Sequence, residues 1–191
     1  MATTTASWES RKAAEDWRDG APARRRLNGP ALGAMLDEAA LRPGARVLDL
    51  GAGTGDTTID AARRVGPRGS VVAVDISQAM LDVLVEEAAK AGVTNITTLA
   101  ADAAALDPDP ASFDAAISAN CIQFVPEVGA ALRAVRRALR PGARFAAWSA
   151  PPRTAHTGAP SIRQRLSGGR VASQRHHRTH PLTRAWARRA G

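Results

Sequence analysis

Cysteine is almost absent from these 191 residues. The single Cys121 has no partner for an internal disulfide and no spaced companions for a zinc site, which fits a reducing compartment. Lysine is nearly missing as well: of 26 basic residues only Lys12 and Lys90 are lysine. With abundant alanine, that bias points to GC-rich coding and lowers the functional weight of charge. No run approaches the roughly 20 apolar residues that span a bilayer, and no basic start leads into a signal-type apolar segment. A soluble, cytoplasmic protein without a membrane span is the expectation. Acidic residues stop at Glu127. Up to that point 18 acids outweigh 12 bases, and beyond it stand 14 arginines with no acid, so the net charge of +8 belongs to the C-terminal part alone.

What is present divides the chain into three. Residues 1–29 form a polar, Arg-rich leader containing Trp8 and Trp17, with room for one amphipathic helix. Residues 30–150 carry a regular alternation of elements, and with 45% apolar residues overall they suffice for one core. Residues 151–191 hold nine arginines, all four histidines and no acid, without a sustained apolar period, and read as a basic tail of low order.

Within the middle region, Ala31–Ala40 has helical spacing and stops at the Pro-Gly of residues 43 and 44. Short apolar runs at Val47–Leu50, Val71–Val74, Ile96–Leu99, Phe113–Ser118 and Phe145–Trp148 predict strands. Helical stretches at Thr57–Val65, Ser77–Ala91 and Glu127–Leu139 separate most of them. Strands alternating with helices predict an α/β, doubly wound parallel sheet of Rossmann-like type, in the order 3-2-1-4-5. The hexapeptide Leu-Arg-Pro-Gly-Ala-Arg occurs at 41–46 and again at 139–144, and reads as one turn device used twice.

The densest chemistry lies where the first strand runs into Gly51-Ala52-Gly53-Thr54-Gly55. Glycines there permit close backbone approach, and the following helix offers its positive end and backbone N–H groups to an anionic ligand group. A dinucleotide GxGxxG turn is excluded by Asp56 at its third glycine position. Asp75 stands at the carboxyl end of the second strand, about twenty residues on, where a carboxylate accepts two hydrogen bonds from a ribose diol.

Val47-Leu-Asp-Leu-Gly-Ala-Gly-Thr-Gly55, Val71-Val-Ala-Val-Asp75-Ile-Ser-Gln-Ala-Met80, Ala101-Asp102-Ala103, Ser112-Phe-Asp-Ala-Ala-Ile117 and Leu139-Arg-Pro-Gly142 together resemble the landmarks of class I S-adenosylmethionine-dependent methyltransferases. The resemblance covers about residues 41–150 and is nearest the small-molecule and quinone-type branch. It implies S-adenosylmethionine as cofactor, S-adenosylhomocysteine as product and a small-molecule methyl acceptor. It also implies roles: Gly51, Ala52, Gly53 and Gly55 as the cofactor turn, Asp75 on the ribose, Asp102 and the Ala103 N–H on adenine, and Ala119 against the cofactor through its backbone. Ile76 and Met80 are candidate adenine walls, though both also suit the buried face of a helix start. Asp49 either orients the glycine turn or reaches the cofactor's amino group, and Asp56 serves the helix dipole.

No general base stands out in Ala119–Phe124. Methyl transfer is an in-line displacement that runs on positioning when the acceptor is already nucleophilic. Cys121 reads as a small buried residue. The resemblance also implies an antiparallel hairpin at the sheet edge and a substrate-covering segment after the fifth strand, and the tail shows neither pattern. Three readings of residues 151–191 stay open: sequence foreign to the family from a shifted reading frame, a nucleic-acid arm, or a metal site through His176, His177 and His180. Correspondingly, the functional alternatives are a truncated cofactor-binding domain with little catalysis and a nucleic-acid-binding protein using the tail.

Overall fold

The computed structural model describes residues 8–150 together with 164–167 and 170–173. Five parallel strands form the sheet: β1 (Arg46–Leu50), β2 (Ser70–Asp75), β3 (Ile96–Ala100), β4 (Phe113–Ala119) and β5 (Leu139–Trp148). They lie in the order β3-β2-β1-β4-β5, the doubly wound order expected for the chain. β1 is central, and its Val47, Leu48 and Leu50 are all buried, as a parallel strand covered on both faces requires.

Helices α1 (Arg11–Asp19), α2 (Ala21–Glu38), α3 (Asp56–Val65), α4 (Gln78–Lys90) and α5 (Val128–Ala138) complete the domain. Side chains alternate across the strands, so each face takes its own helices. Val47, Val71, Ala115, Ile117 and Trp148 pack with Met35 and Leu36 of α2 and Val65 of α3. On that same face, Ala73 meets Leu81 and Leu84 of α4. Leu48, Leu50, Val74, Ala116 and Phe145 face the other way, onto Ala131 and Val135 of α5.

The leader is more ordered than its composition predicts. α1 starts at Ser10, whose hydroxyl accepts from the Ala13 amide at 3.1 Å, a conventional N-cap. Its Ala14 is fully buried against Met80 and Val83 of α4. α2 begins nine residues before Pro30 and contains that proline in its interior. Pro22 suits the first turn, and the alanines, arginines and leucine that follow are strong helix formers. Their summed propensity, with Met35 and Leu36 buried on the sheet, outweighs the hydrogen bond that Pro30 cannot donate.

The fifth strand also begins earlier than expected, at Leu139, with a register shift opposite Phe113 to Ala115. Gly142, at φ +81°, turns inside it. Among the described residues the five-stranded sheet has no antiparallel member. In the tail, however, β6 (Gln164–Ser167) and β7 (Arg170–Ser173) pair antiparallel as a separate two-stranded ribbon. The expectation of no strand pattern after Ala150 is corrected there: four-residue strands are too short for alternation to show in sequence. The histidine cluster and the remainder of the tail lie outside the described residues. No described helix is long and apolar enough to cross a membrane.

Candidate functional site

One cavity of about 600 Å³ opens over the carboxyl ends of β1, β2 and β4, where ligands bind in open α/β sheets. Asp49, Gly51, Ala52 and Gly53 line it from β1 and its turn, and Asp75, Ile76 and Met80 from β2 and α4. Asp102 and Ala103 line it from the loop after β3, and Ala119 from the end of β4. Ten of the eleven residues singled out in the sequence are thus among the lining residues. Gly55 stands behind the turn. At φ +93° it caps α3, and a Cβ there would come within 2.8 Å of Leu84 Cγ, so its work is to let α3 start close to α4.

The turn's amides are arranged differently from the expectation that they face a ligand. Gly51 and Ala52 donate to Val74 O at 2.7 and 3.0 Å, Gly55 donates to Ala52 O at 3.1 Å, and Gly53 donates to Asp75 Oδ2 at 2.9 Å. The turn is therefore held rigidly on β2. Gly51, at φ +70°, also lies against Cys121: a Cβ there would sit 2.1 Å from Cys121 Cβ. Cys121 is brought in by Asn120, which turns at φ +55°. That turn is fixed by the Asn120 N–H donating to Trp148 O at 2.8 Å and by Asn120 Oδ1 accepting from the Ala150 N–H at 2.9 Å.

Three titrating groups feel this enclosure. Asp49 is buried and accepts from the Thr58 hydroxyl at 2.7 Å. Burial pushes its carboxyl up to about 7, the Thr58 bond opposing and the Asp75 charge adding. Asp75 is also raised, by burial first, against the amides of Ser77, Gly53 and Ile76, which hold it down. Burial pushes the Cys121 thiol up to about 12, with the Asp75 and Asp49 charges adding. It stays protonated at neutral pH and is no nucleophile. Asp102 caps the short 3-10 turn Ala103–Ala105 by accepting from the Ala104 amide at 2.8 Å, which orients the loop at the cavity edge. Ile76 is half exposed at the cavity. Met80 lines it too but is otherwise packed with Trp8, Trp17 and Ala14.

The N-terminal helices supply a wall that motif reasoning did not find. Trp8, Trp17, Arg24, Leu32 and Leu36 line the cavity from its open side, and Phe124 joins them from the loop after β4. Trp8 and Trp17 meet edge to face at 5.4 Å, and Trp8 lies 6.5 Å from Phe124. The Arg24 guanidinium covers the Trp17 ring at 3.9 Å, donates to Trp17 O, and pairs with Asp56 at 3.0 Å. Trp8 O accepts from the Ser77 hydroxyl at 2.6 Å. Two tryptophans in an otherwise polar leader were the available signal, since large aromatics are rarely left in water without a surface to cover. Among the described residues no group of three His, Cys, Asp or Glu side chains is placed to hold a metal ion.

Residues 47–142 match the family described as the methyltransferase domain. The chain belongs to that family. It is 38% identical over 111 residues to the ubiquinone/menaquinone biosynthesis C-methyltransferase UbiE of Vibrio cholerae, covering 58% of this chain and 43% of that protein. It spans less than half the length of such relatives. The fold superposes on an S-adenosylmethionine-dependent methyltransferase from Aquifex aeolicus with a TM-score of 0.67 and 24% identity, over 79% of this chain and 78% of the other. A phosphoethanolamine N-methyltransferase from Haemonchus contortus, solved in complex with S-adenosyl-L-methionine, aligns at 31% identity and a TM-score of 0.55, over 61% and 27% of the two chains.

Proposed function

We propose that this chain transfers the methyl group of S-adenosylmethionine to a small organic acceptor, and that a quinone-related ring is the acceptor class to test first. The observation that carries the reading is the cavity at the strand ends, in which Asp75 and Asp102 stand at the carboxyl ends of β2 and β3 on either side of a rigid glycine turn. Those residues fit the cofactor. Asp75, whose Oδ2 accepts from the Gly53 amide and Oδ1 from the Ser77 amide, presents its carboxylate at the end of β2 as the acceptor for the ribose hydroxyls. Asp102 accepts from the adenine amine, Ala103 donates to a ring nitrogen, and half-exposed Ile76 with Met80 walls the base. Asp49 takes the ammonium of the amino-acid end, and the Ala119 backbone touches the cofactor near β4.

When bound, S-adenosylmethionine supplies an electrophilic methyl group on sulfur. The chain's contribution is placement and exclusion of water. Cys121, a protonated thiol packed on Gly51, offers no base, and the aromatic wall of Trp8, Trp17 and Phe124 closes the open side. An acceptor already nucleophilic at neutral pH suits such a site. The quinone-type acceptor rests on the name of the Vibrio relative, to which this chain is 38% identical over 111 residues. A reducing cytoplasm is the compartment in which a lone cysteine stays a thiol.

Calorimetric titration with S-adenosylmethionine and S-adenosylhomocysteine tests the cofactor, and a panel of hydroquinones and other small nucleophiles tests the acceptor. Asp75→Ala is expected to weaken S-adenosylhomocysteine at least about 100-fold, since two charge-assisted hydrogen bonds are lost. Unchanged binding by that variant removes the site assignment.

A further inference from the structure

The amino-acid end of the cofactor carries a carboxylate as well as an ammonium, and the residues assigned so far leave the carboxylate without a partner. Asp49 and Asp75 repel it. The turn amides of Gly51, Ala52, Gly53 and Gly55 already have acceptors inside the protein. Arg24, Arg25, Arg63 and Arg64 line the cavity but are each paired with a carboxylate of the protein, and the start of α3 offers the open donors near the turn, where the first amides of a helix have no intrahelical acceptor and the dipole is positive. Gly55 caps that helix without a side-chain hydrogen bond.

Two side chains at the same place carry hydrogen-bonding groups that the cofactor reading leaves unused. Thr54, in the turn and lining the cavity, is 3% exposed, and its hydroxyl is buried with no partner among the described residues. An unsatisfied buried hydroxyl costs free energy, and its retention asks for a ligand that satisfies it. Trp17 lies over the turn, its Nε1 3.5 Å from where a Cβ on Gly53 would stand. The indole N–H is a donor only, so any partner must be an acceptor.

We propose that Trp17 Nε1–H, the Thr54 hydroxyl and the first amides of α3 form the subsite for the carboxylate of the cofactor's amino-acid end. The inference rests on the cofactor reading above. Asp56, at the first position of α3, would oppose the ligand there, while Asp60 one turn on is paired with Arg25 at 3.3 Å. Asp56 Oδ2 is paired with Arg24 at 3.0 Å, and the same guanidinium holds the Trp17 ring and carbonyl. Arg24 is thus a positioning residue: it neutralises Asp56 and fixes the indole. The zwitterion is then read with opposite polarity on the two sides of the turn, ammonium toward Asp49 and carboxylate toward Trp17.

The test uses the full chain, the variants Trp17→Phe and Thr54→Val, and three ligands measured by calorimetry. Phenylalanine keeps a ring over Gly53 without the N–H, and valine keeps the threonine volume without the hydroxyl. S-adenosylhomocysteine is expected to bind each variant about tenfold more weakly, a loss of one hydrogen bond to a charged group. Its decarboxylated analogue and 5′-methylthioadenosine, which lack the carboxylate, are expected to bind wild type and variants within about twofold of each other. Ligand-free Thr54→Val is expected to melt no lower than wild type, because an unsatisfied hydroxyl has been removed. Equal losses for all three ligands would show that Trp17 and Thr54 act only in packing, and unchanged S-adenosylhomocysteine binding would place the carboxylate elsewhere; either overturns the proposal. Absence of any binding by wild type overturns the cofactor reading itself, and this subsite with it.

Discussion

The two sides of the cavity are built by different means. The strand-end side is backbone: glycines at positive φ, amides donating to β2, and a cysteine pressed onto Gly51. The N-terminal side is side chain: an aromatic trio, Arg24 on Trp17 and Asp56, and Arg11 of α1 gripping Glu86 of α4 at 2.8 and 2.9 Å. Backbone geometry has few solutions and no slack, whereas exposed ion pairs contribute little each and are screened by salt. The strand-end side should therefore fail abruptly under substitution and the N-terminal side by degrees.

Gly51→Ala breaks the first side most severely. The added Cβ meets Cys121 Cβ at 2.1 Å and must adopt a left-handed backbone at φ +70°. Overpacking and the left-handed strain together are expected to cost about 2–5 kcal/mol, read as a lower denaturation midpoint. Cys121→Ala should not rescue it, because the clashing Cβ remains.

Asp49 sharpens the comparison through pH. Its carboxyl titrates near 7 in the folded protein against an ordinary value of 3.8. The stability this group confers is fully present below the unfolded value and is lost as pH rises through about 7, a span on the order of 4 kcal/mol. An ammonium ligand needs the ionised form, so S-adenosylhomocysteine affinity is expected to rise between pH 6 and 8. Asp49→Asn should flatten that profile, raise the melting temperature at pH 8 and weaken the ligand. A pH profile unchanged by the substitution would show that another group sets it.

Glu86→Gln probes the opposite side and should have the smallest effect. The Arg11 pair is nearly half exposed at both ends, so melting is expected to move by less than about 2 °C and ligand affinity by less than about twofold. A loss as large as that from Asp75→Ala would show that the docking of α1 hinges on this pair.

The same division explains what could be read in advance. Strand positions, the turn and Asp75 were legible because a buried parallel strand demands a continuous apolar run, and a sharp left-handed turn after it demands glycine. Leu50, Gly51 and Asp75 announce themselves locally. Trp8, Trp17 and Arg24 do not: Ser77 lies 69 residues from Trp8, Met80 lies 63 from Trp17 and Asp56 lies 32 from Arg24, and no period or spacing encodes those distances. Pro30 misled the boundary for a related reason, since a proline normally marks a helix end and only the packing of Met35 and Leu36 on the sheet keeps α2 continuous through it.

By itself, then, the sequence determined the alternation of strands and helices, the glycine turn and the acids at the strand ends, because each follows from the conformational needs of a few adjacent residues. Tertiary structure alone decided that the turn's amides are satisfied inside the protein, that Thr54 is left without a partner, and that Trp17 lies over Gly53. Those outcomes depend on which distant surfaces meet, and that is fixed only when the sheet, α1 and α2 close on one another.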